Sequence, residues 1–133
     1  MTSTVLAAPQ TVRPPARDEE SGRWTAAFQV AITADEPVFA GHYPDFPIFP
    51  GVCVLECVRR AAESVTPDEA GEVRMAAVES ARFLSSVHPG DEMTIDLTWA
   101  PRGEHWRCTA QVATERGRAA TVRLRYEQSE APC

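Results

Sequence analysis

Four stretches of the chain alternate apolar and polar residues with the period of a half-buried strand. They are Trp24, Ala26, Phe28, Val30 and Ile32; Met93, Ile95, Leu97 and Trp99; Trp106, Cys108, Ala110 and Val112; and Ala120, Val122, Leu124 and Tyr126. Residues 73–87 are longer and mixed, which predicts one bent strand. Pro89-Gly90-Asp91, Pro101-Arg102-Gly103 and Glu115-Arg116-Gly117 fall between the later runs as turns, so the second half reads as an antiparallel meander. One segment departs from this period. Pro50-Gly51 signals a helix start, and Val52, Cys53, Val54, Leu55, Cys57, Val58, Ala61 and Ala62 would cover most of a helix running from Gly51 to Glu63. A helix apolar nearly all round is a buried helix.

About five antiparallel strands, each with one apolar face, can curl around one such helix. A single sheet leaves one side of it uncovered, and that side is expected to meet a second subunit. Residues 1–22, with Pro9, Pro14, Pro15 and mixed charge, read as a disordered or loosely attached tail. The folded domain is expected over 23–128, with a short tail at 129–133.

Composition narrows the function. At 133 residues and 44% hydrophobic, the chain suggests one domain with a real core. Its formal charge of −6 argues against nucleic-acid binding, which needs a basic face. All 13 basic residues are Arg, so lysine Schiff-base chemistry is excluded. Cys53 and Cys57 sit four apart among apolar neighbours with no histidine nearby, a pattern of packing residues rather than metal ligands. No apolar run approaches the roughly 20 residues of a membrane span. The expectation is a cytoplasmic protein with no membrane, nucleic-acid or metal partner.

The chemistry concentrates between Gly41 and Glu56. His42 sits in a loop stiffened by Pro44, Pro47 and Pro50. Histidine is the side chain suited to moving protons near neutral pH; the alternative is a loop histidine capping a carbonyl. Glu56 is a lone carboxylate on the apolar helix. Burial would raise its pKa and suit it to donating a proton; the alternative is a salt bridge to Arg59 or Arg60 on a partly exposed face. At Gly51 the helix N-terminus offers free N–H groups to a polarised carbonyl.

The run His-Tyr-Pro-x-x-Pro-x-x-Pro-Gly-Val-x-x-x-Glu resembles the active-site signature of the hotdog-fold β-hydroxyacyl-[acyl-carrier-protein] dehydratases. Ser80-Ala81-Arg82-Phe83 followed by Val87-His88-Pro89-Gly90-Asp91 resembles a second family segment. The resemblance covers about residues 24–127. It implies an α+β hotdog fold, an antiparallel sheet wrapped around one long central helix. It implies that His42 takes the α-proton of a 3-hydroxyacyl thioester. Glu56 would protonate or orient the departing hydroxyl. Gly51 would give its N–H to the thioester carbonyl, and the carbonyl of Ile48 would hold the other nitrogen of His42. The histidine and the acid would come from opposite subunits. The substrate would ride on the phosphopantetheine of an acyl carrier protein, with no bound cofactor. The acyl chain would enter a tunnel at the dimer interface, with Phe39, Tyr43, Phe46 and Phe49 as wall candidates and Val52 and Arg60 among the substrate-binding set.

Three departures from the family pattern qualify this. Tyr43 stands where the family has Phe. Arg60 stands where it often has Gln, and a guanidinium there would lower the pKa of Glu56. Leu84 and Ser85 replace basic residues at the carrier-docking surface. These point to a specialised dehydratase, in polyketide or other secondary metabolism, with a homodimer or a non-identical hotdog partner. A hotdog acyl-thioesterase and a non-catalytic acyl-binding subunit of a heterodimer stay open as alternatives.

Overall fold

The computed structural model describes residues 5–41 and 48–129. Six strands form one sheet: β1 (Gln10–Arg17), β2 (Trp24–Ala31), β3 (Val73–Phe83), β4 (Glu92–Arg102), β5 (His105–Thr114) and β6 (Gly117–Gln128). Their order is β1-β2-β4-β5-β6-β3, and every neighbouring pair is antiparallel. A short helix α1 (Pro37–Gly41) precedes the long helix α2 (Gly51–Ser64). The α2 helix stops before Thr66-Pro67, where the proline disfavours helical backbone for its predecessor.

The sheet's inner face follows the alternation in the sequence. Met93, Ile95, Leu97 and Trp99 of β4 are buried, while Thr94, Asp96 and Thr98 between them are not. Leu97 pairs with Ala110, which pairs with Val122; Trp99 pairs with Cys108, which pairs with Leu124. The small residues of β5 thus lie between larger ones of β4 and β6. Across them the helix turns a face of equally small residues: Cys53, Cys57, Val58, Ala61 and Ala62. The small side chains of α2 share the core with the large Trp99, Met93, Ile95 and Tyr126 of the sheet, so residue volume is balanced across the two layers.

Three expectations are corrected. The described residues form six strands rather than about five, because residues 10–17 lie inside the stretch read as a tail and form β1. Its partner is β2, with register irregularities between Thr11 and Arg13 and between Arg13 and Ala16. Pro14 and Pro15 fall in that irregular stretch. Proline cannot donate to a ladder but is tolerated on an edge strand, and all eight residues are exposed, so no apolar period marks the strand. Next, α2 is not buried all round: Val52 is 74% exposed and Leu55, Glu56, Arg59 and Arg60 are intermediate. Finally, the strand expected over 73–87 ends at Phe83; Val87 makes only an isolated bridge to Phe49. The two register shifts between β3 and β6 do give the expected bend.

The Pro89-Gly90-Asp91 turn is a structural joint. The buried Asp91 carboxylate accepts the His88 N–H at 2.8 Å and both Nη atoms of Arg116, at 2.6 and 2.9 Å. Gly90, at φ 90°, donates its N–H to the Ile32 carbonyl, and Asp91 returns its own carbonyl to the Ile32 N–H. The joint ties the end of β2 to the start of β4 and to the β5–β6 turn. Arg116 holds the Asp91 carboxyl below the usual carboxylate range. Its folded pKa lies below its unfolded one, so its stabilisation is present above about pH 4 and fades as pH falls through the folded value. Asp91→Ala is expected to cost on the order of 2 kcal/mol at pH 7. Denaturant unfolding at pH 7 and pH 3 checks this: the gap between variant and native protein should narrow at the lower pH.

Candidate active site

The start of α2 is fixed from both sides. Pro50 caps the helix in extended backbone (φ −63°, ψ 154°), and its carbonyl accepts the N–H groups of Cys53 and Val54 at 2.9 and 3.1 Å. Just before it, the Phe49 N–H donates to the Val87 carbonyl at 2.7 Å, pinning the incoming loop to the segment after β3. The Phe49 ring is buried, with its centroid 6.2 Å from that of Phe39.

Beside this helix start lies a cleft of about 380 Å³, with Ile48, Phe49, Gly51 and Val54 on one side and Phe83, Leu84, Val87 and Ala120 among those on the other. Gly51 is on its wall. A Cβ there would come within 2.9 Å of the tip of the half-exposed Phe83 ring, so a larger residue would push that ring aside and reshape the cleft wall. Phe83 and Leu84 are each about half exposed, at 50% and 52%, although large and apolar. Their exposure at the cleft marks them as wall residues that the alternation pattern missed. They follow the last inward position of a bent strand, where period arguments lose their phase.

The expected wall residues divide. Phe49 and Ile48 line the cleft, whereas Phe39 is core. Val52 points outward from α2 and does not line the cleft. His42, Tyr43 and Phe46 lie outside the described residues, as does any bond between His42 and the Ile48 carbonyl.

Glu56 is on the outer flank of α2 with its side chain 24% exposed. Arg59 grips it with two bonds, Nε to Oε1 and Nη2 to Oε2, both 2.8 Å. Arg60 adds Nε to Oε2 at 3.1 Å. The hydrogen bonds from Arg59 outweigh desolvation, and Glu56 is held below the usual carboxylate range. The raised pKa expected from burial is therefore corrected, and the alternative reading, a salt bridge to Arg59 or Arg60 on a partly exposed face, is what the structure shows: the i,i+3 and i,i+4 arginines keep the group ionised. Arg59 also reaches Glu63 at 3.0 Å, and Glu63 accepts the Tyr126 hydroxyl at 3.0 Å. A polar chain thus runs from the fully buried Tyr126 of β6 out to Glu56.

A second carboxylate went unnoticed in the sequence. Glu36, just before α1, is 2% exposed and accepts the backbone N–H groups of Leu6 and Ala7 at 2.9 and 2.7 Å. The Asp-Glu-Pro context reads as a polar turn, and its partners are 29 and 30 residues away, so no local pattern reveals it. Cys53, Cys57 and Cys108 are buried free thiols, with burial pushing Cys57 up to about 12. Such thiols are unreactive packing residues. Among the described residues no His, Cys, Asp or Glu cluster is placed to hold a metal ion, and no helix is long and apolar enough to cross a membrane.

Comparison with known proteins accounts for this arrangement. The 3-hydroxyacyl-[acyl-carrier-protein] dehydratase FabZ of Haemophilus ducreyi is 36% identical over 86 residues, covering 60% of this chain and 55% of that protein. The chain thus spans about half the length of such curated relatives. Among solved structures, the dehydratase heterocomplex ApeI:P from Xenorhabdus doucetiae superposes with a TM-score of 0.66 at 18% identity, over 90% of this chain and 98% of that one. A hot-dog-like protein from Thermanaerovibrio acidaminovorans gives 0.65 at 13% identity, over 77% and 78%. These likenesses identify the fold as the α+β hotdog. The family model described as ApeI-like (ApeI dehydratase) matches residues 16–123, and the chain belongs to that family.

Proposed function

We propose that this protein removes water from a 3-hydroxyacyl thioester carried on acyl carrier protein, giving the 2-enoyl thioester, in specialised fatty-acid or polyketide synthesis. The observation that carries the reading is Gly51 at the N-terminus of α2, on the wall of an apolar cleft, in a chain of a dehydratase family. The thioester carbonyl accepts from the helix start, where the Gly51 N–H and the helix dipole steady the enolate-like charge. His42 takes the C2 proton. The C2–C3 double bond forms as the C3–O bond breaks, and the hydroxyl leaves with a proton as water.

The state of Glu56 assigns the roles further. A carboxylate held by three N–H bonds from two arginines is ionised at neutral pH. It accepts a hydrogen bond and orients the hydroxyl, and the imidazolium of His42 supplies the departing proton. Protons balance with one acid–base group.

The same observation favours assembly. Glu56, Val52 and Arg59 occupy the flank of α2 that the sheet does not cover. A second hotdog subunit, identical or not, covers that flank and brings His42 to a partner's Glu56. A heterodimer is the second reading, supported by the ionised, arginine-held Glu56 and by the heterocomplex formed by the ApeI:P relative. The protein then acts in the cytoplasm, with phosphopantetheine entering as part of the substrate and no cofactor of its own.

Intact mass spectrometry of a 3-hydroxyacyl carrier protein tests the reading. The loaded carrier should lose one water with the protein present and keep it with His42→Ala. No water loss across a range of chain lengths, alone or with a hotdog partner, would sink the proposal. For the native protein, kcat/KM should rise with pH through about 6 to 7 as His42 loses its proton, then stay flat to alkaline pH. A descending limb near neutrality that vanishes in Glu56→Gln would show instead that Glu56 works in its protonated form.

A further inference from the structure

The N-terminal arm, residues 5–9, runs over the fold beside α2 with no regular structure of its own. It is nevertheless tightly held. Val5 and Ala7 are buried while Leu6 between them is 61% exposed, as in an extended segment with one face inward. Its backbone is held from two directions. The buried Glu36 carboxylate accepts the N–H groups of Leu6 and Ala7. On the other side, Nη1 of Arg60 donates to the Ala7 carbonyl at 3.1 Å, while Nε of the same guanidinium donates to Glu56 at 3.1 Å. Arg60 is therefore a bridge with one edge on the arm and the other on the Glu56 carboxylate.

We propose that Glu36 and Arg60 are positioning residues that make the N-terminal arm part of the active site: Glu36 holds the arm, the arm's Ala7 carbonyl holds Arg60, and Arg60 holds Glu56. Its catalytic consequence rests on the reading of Glu56 given above; the coupling itself does not. A long side chain tethered at one edge alone samples many rotamers, and ordering it costs free energy. Tethering both edges keeps its charge in place beside Glu56. Only a planar fork does this, so Lys at position 60 would keep the charge and lose the bridge.

Among the described residues, the charged and titratable groups around Glu56 on α2 are Arg59 and Arg60, Glu63 acting through Arg59, and the Cys53 and Cys57 thiols; Glu36 acts on both thiols, and β6 contributes the Tyr126 hydroxyl on Glu63. Arg59 dominates and is untouched by the arm, so releasing the arm should perturb Glu56 without freeing it.

The test uses the full chain and needs no turnover. Hydrogen exchange reads the Leu6 and Ala7 amides, and carboxyl NMR reads the titration of Glu56. In the native protein both amides should be protected. Glu36→Gln should speed their exchange at least about 10-fold and move the Glu56 midpoint upward by roughly half a pH unit, with Arg60→Gln moving it further. In the Arg60→Gln background, Glu36→Gln should shift Glu56 no more, since the link is gone. Arg60→Lys should loosen the arm while leaving most of the Glu56 shift in place. Unprotected Leu6 and Ala7 amides in the native protein would overturn the proposal. So would fast exchange in Glu36→Gln with an unmoved Glu56 midpoint, or an equal shift in both backgrounds. Where the carrier-protein assay shows dehydration, kcat should fall in Glu36→Gln with KM little changed. No dehydration at all would count against the functional reading and leave the coupling measured.

Discussion

The fit of a small-residue helix face into a small-residue hollow of the sheet is the constraint on which everything else turns. Cys53, Val54, Cys57, Val58, Ala61 and Ala62 are the buried residues of α2, and they share one core cluster with Cys108 and Ala110 of β5. Their burial sets which way the helix faces. Gly51 is then at the cleft, and Val52, Glu56 and Arg59 are on the opposite flank. The site is a consequence of how the core packs. A bulky residue at Cys57 or Ala61 would push α2 from the sheet and move the helix start with it.

The polar flank of α2 carries its own order. From Tyr126 through Glu63, Arg59 and Glu56 to Arg60, each side chain meets the next, and the series ends on the Ala7 backbone. Partly exposed ion pairs contribute little stability one by one. Their value here is geometric. They set the charge of Glu56 and the direction of its oxygens, and they connect a fully buried strand residue to the N-terminal arm. Burial alone would have made Glu56 an acid; its neighbours make it a carboxylate. A substitution pattern that first looks like a weakened active site, with Arg at position 60, thereby gains a structural role.

Much of the fold was legible in the sequence because it obeys simple periods. The large inward residues of β2, β4, β5 and β6 alternate, with extra buried alanines at Ala27, Ala100 and Ala119, and the Pro-Gly start of α2 marks its first turn. Where the period fails, so does the reading. The strand β1 is exposed throughout, interrupted by Pro14-Pro15, and recognisable only by its pairing with β2. Phe83 stands past two register shifts that scramble the face it should occupy. Glu36 is held by backbone groups about 30 residues away, a relation with no local signature. Gly51 and Glu56 stand out from the residues themselves, and an ion pair with Arg59 or Arg60 is one of two readings the sequence leaves open for Glu56; the choice between them depends on side-chain rotamers that only the folded helix fixes.

Dehydration at His42 is tested most sharply by running the reaction backwards. A 2-enoyl carrier protein incubated with the protein in deuterated water should gain one water, with deuterium fixed at C2, and His42→Ala should abolish both changes. Release of the free acid, or an acyl chain that binds and stays unchanged, would contradict the account.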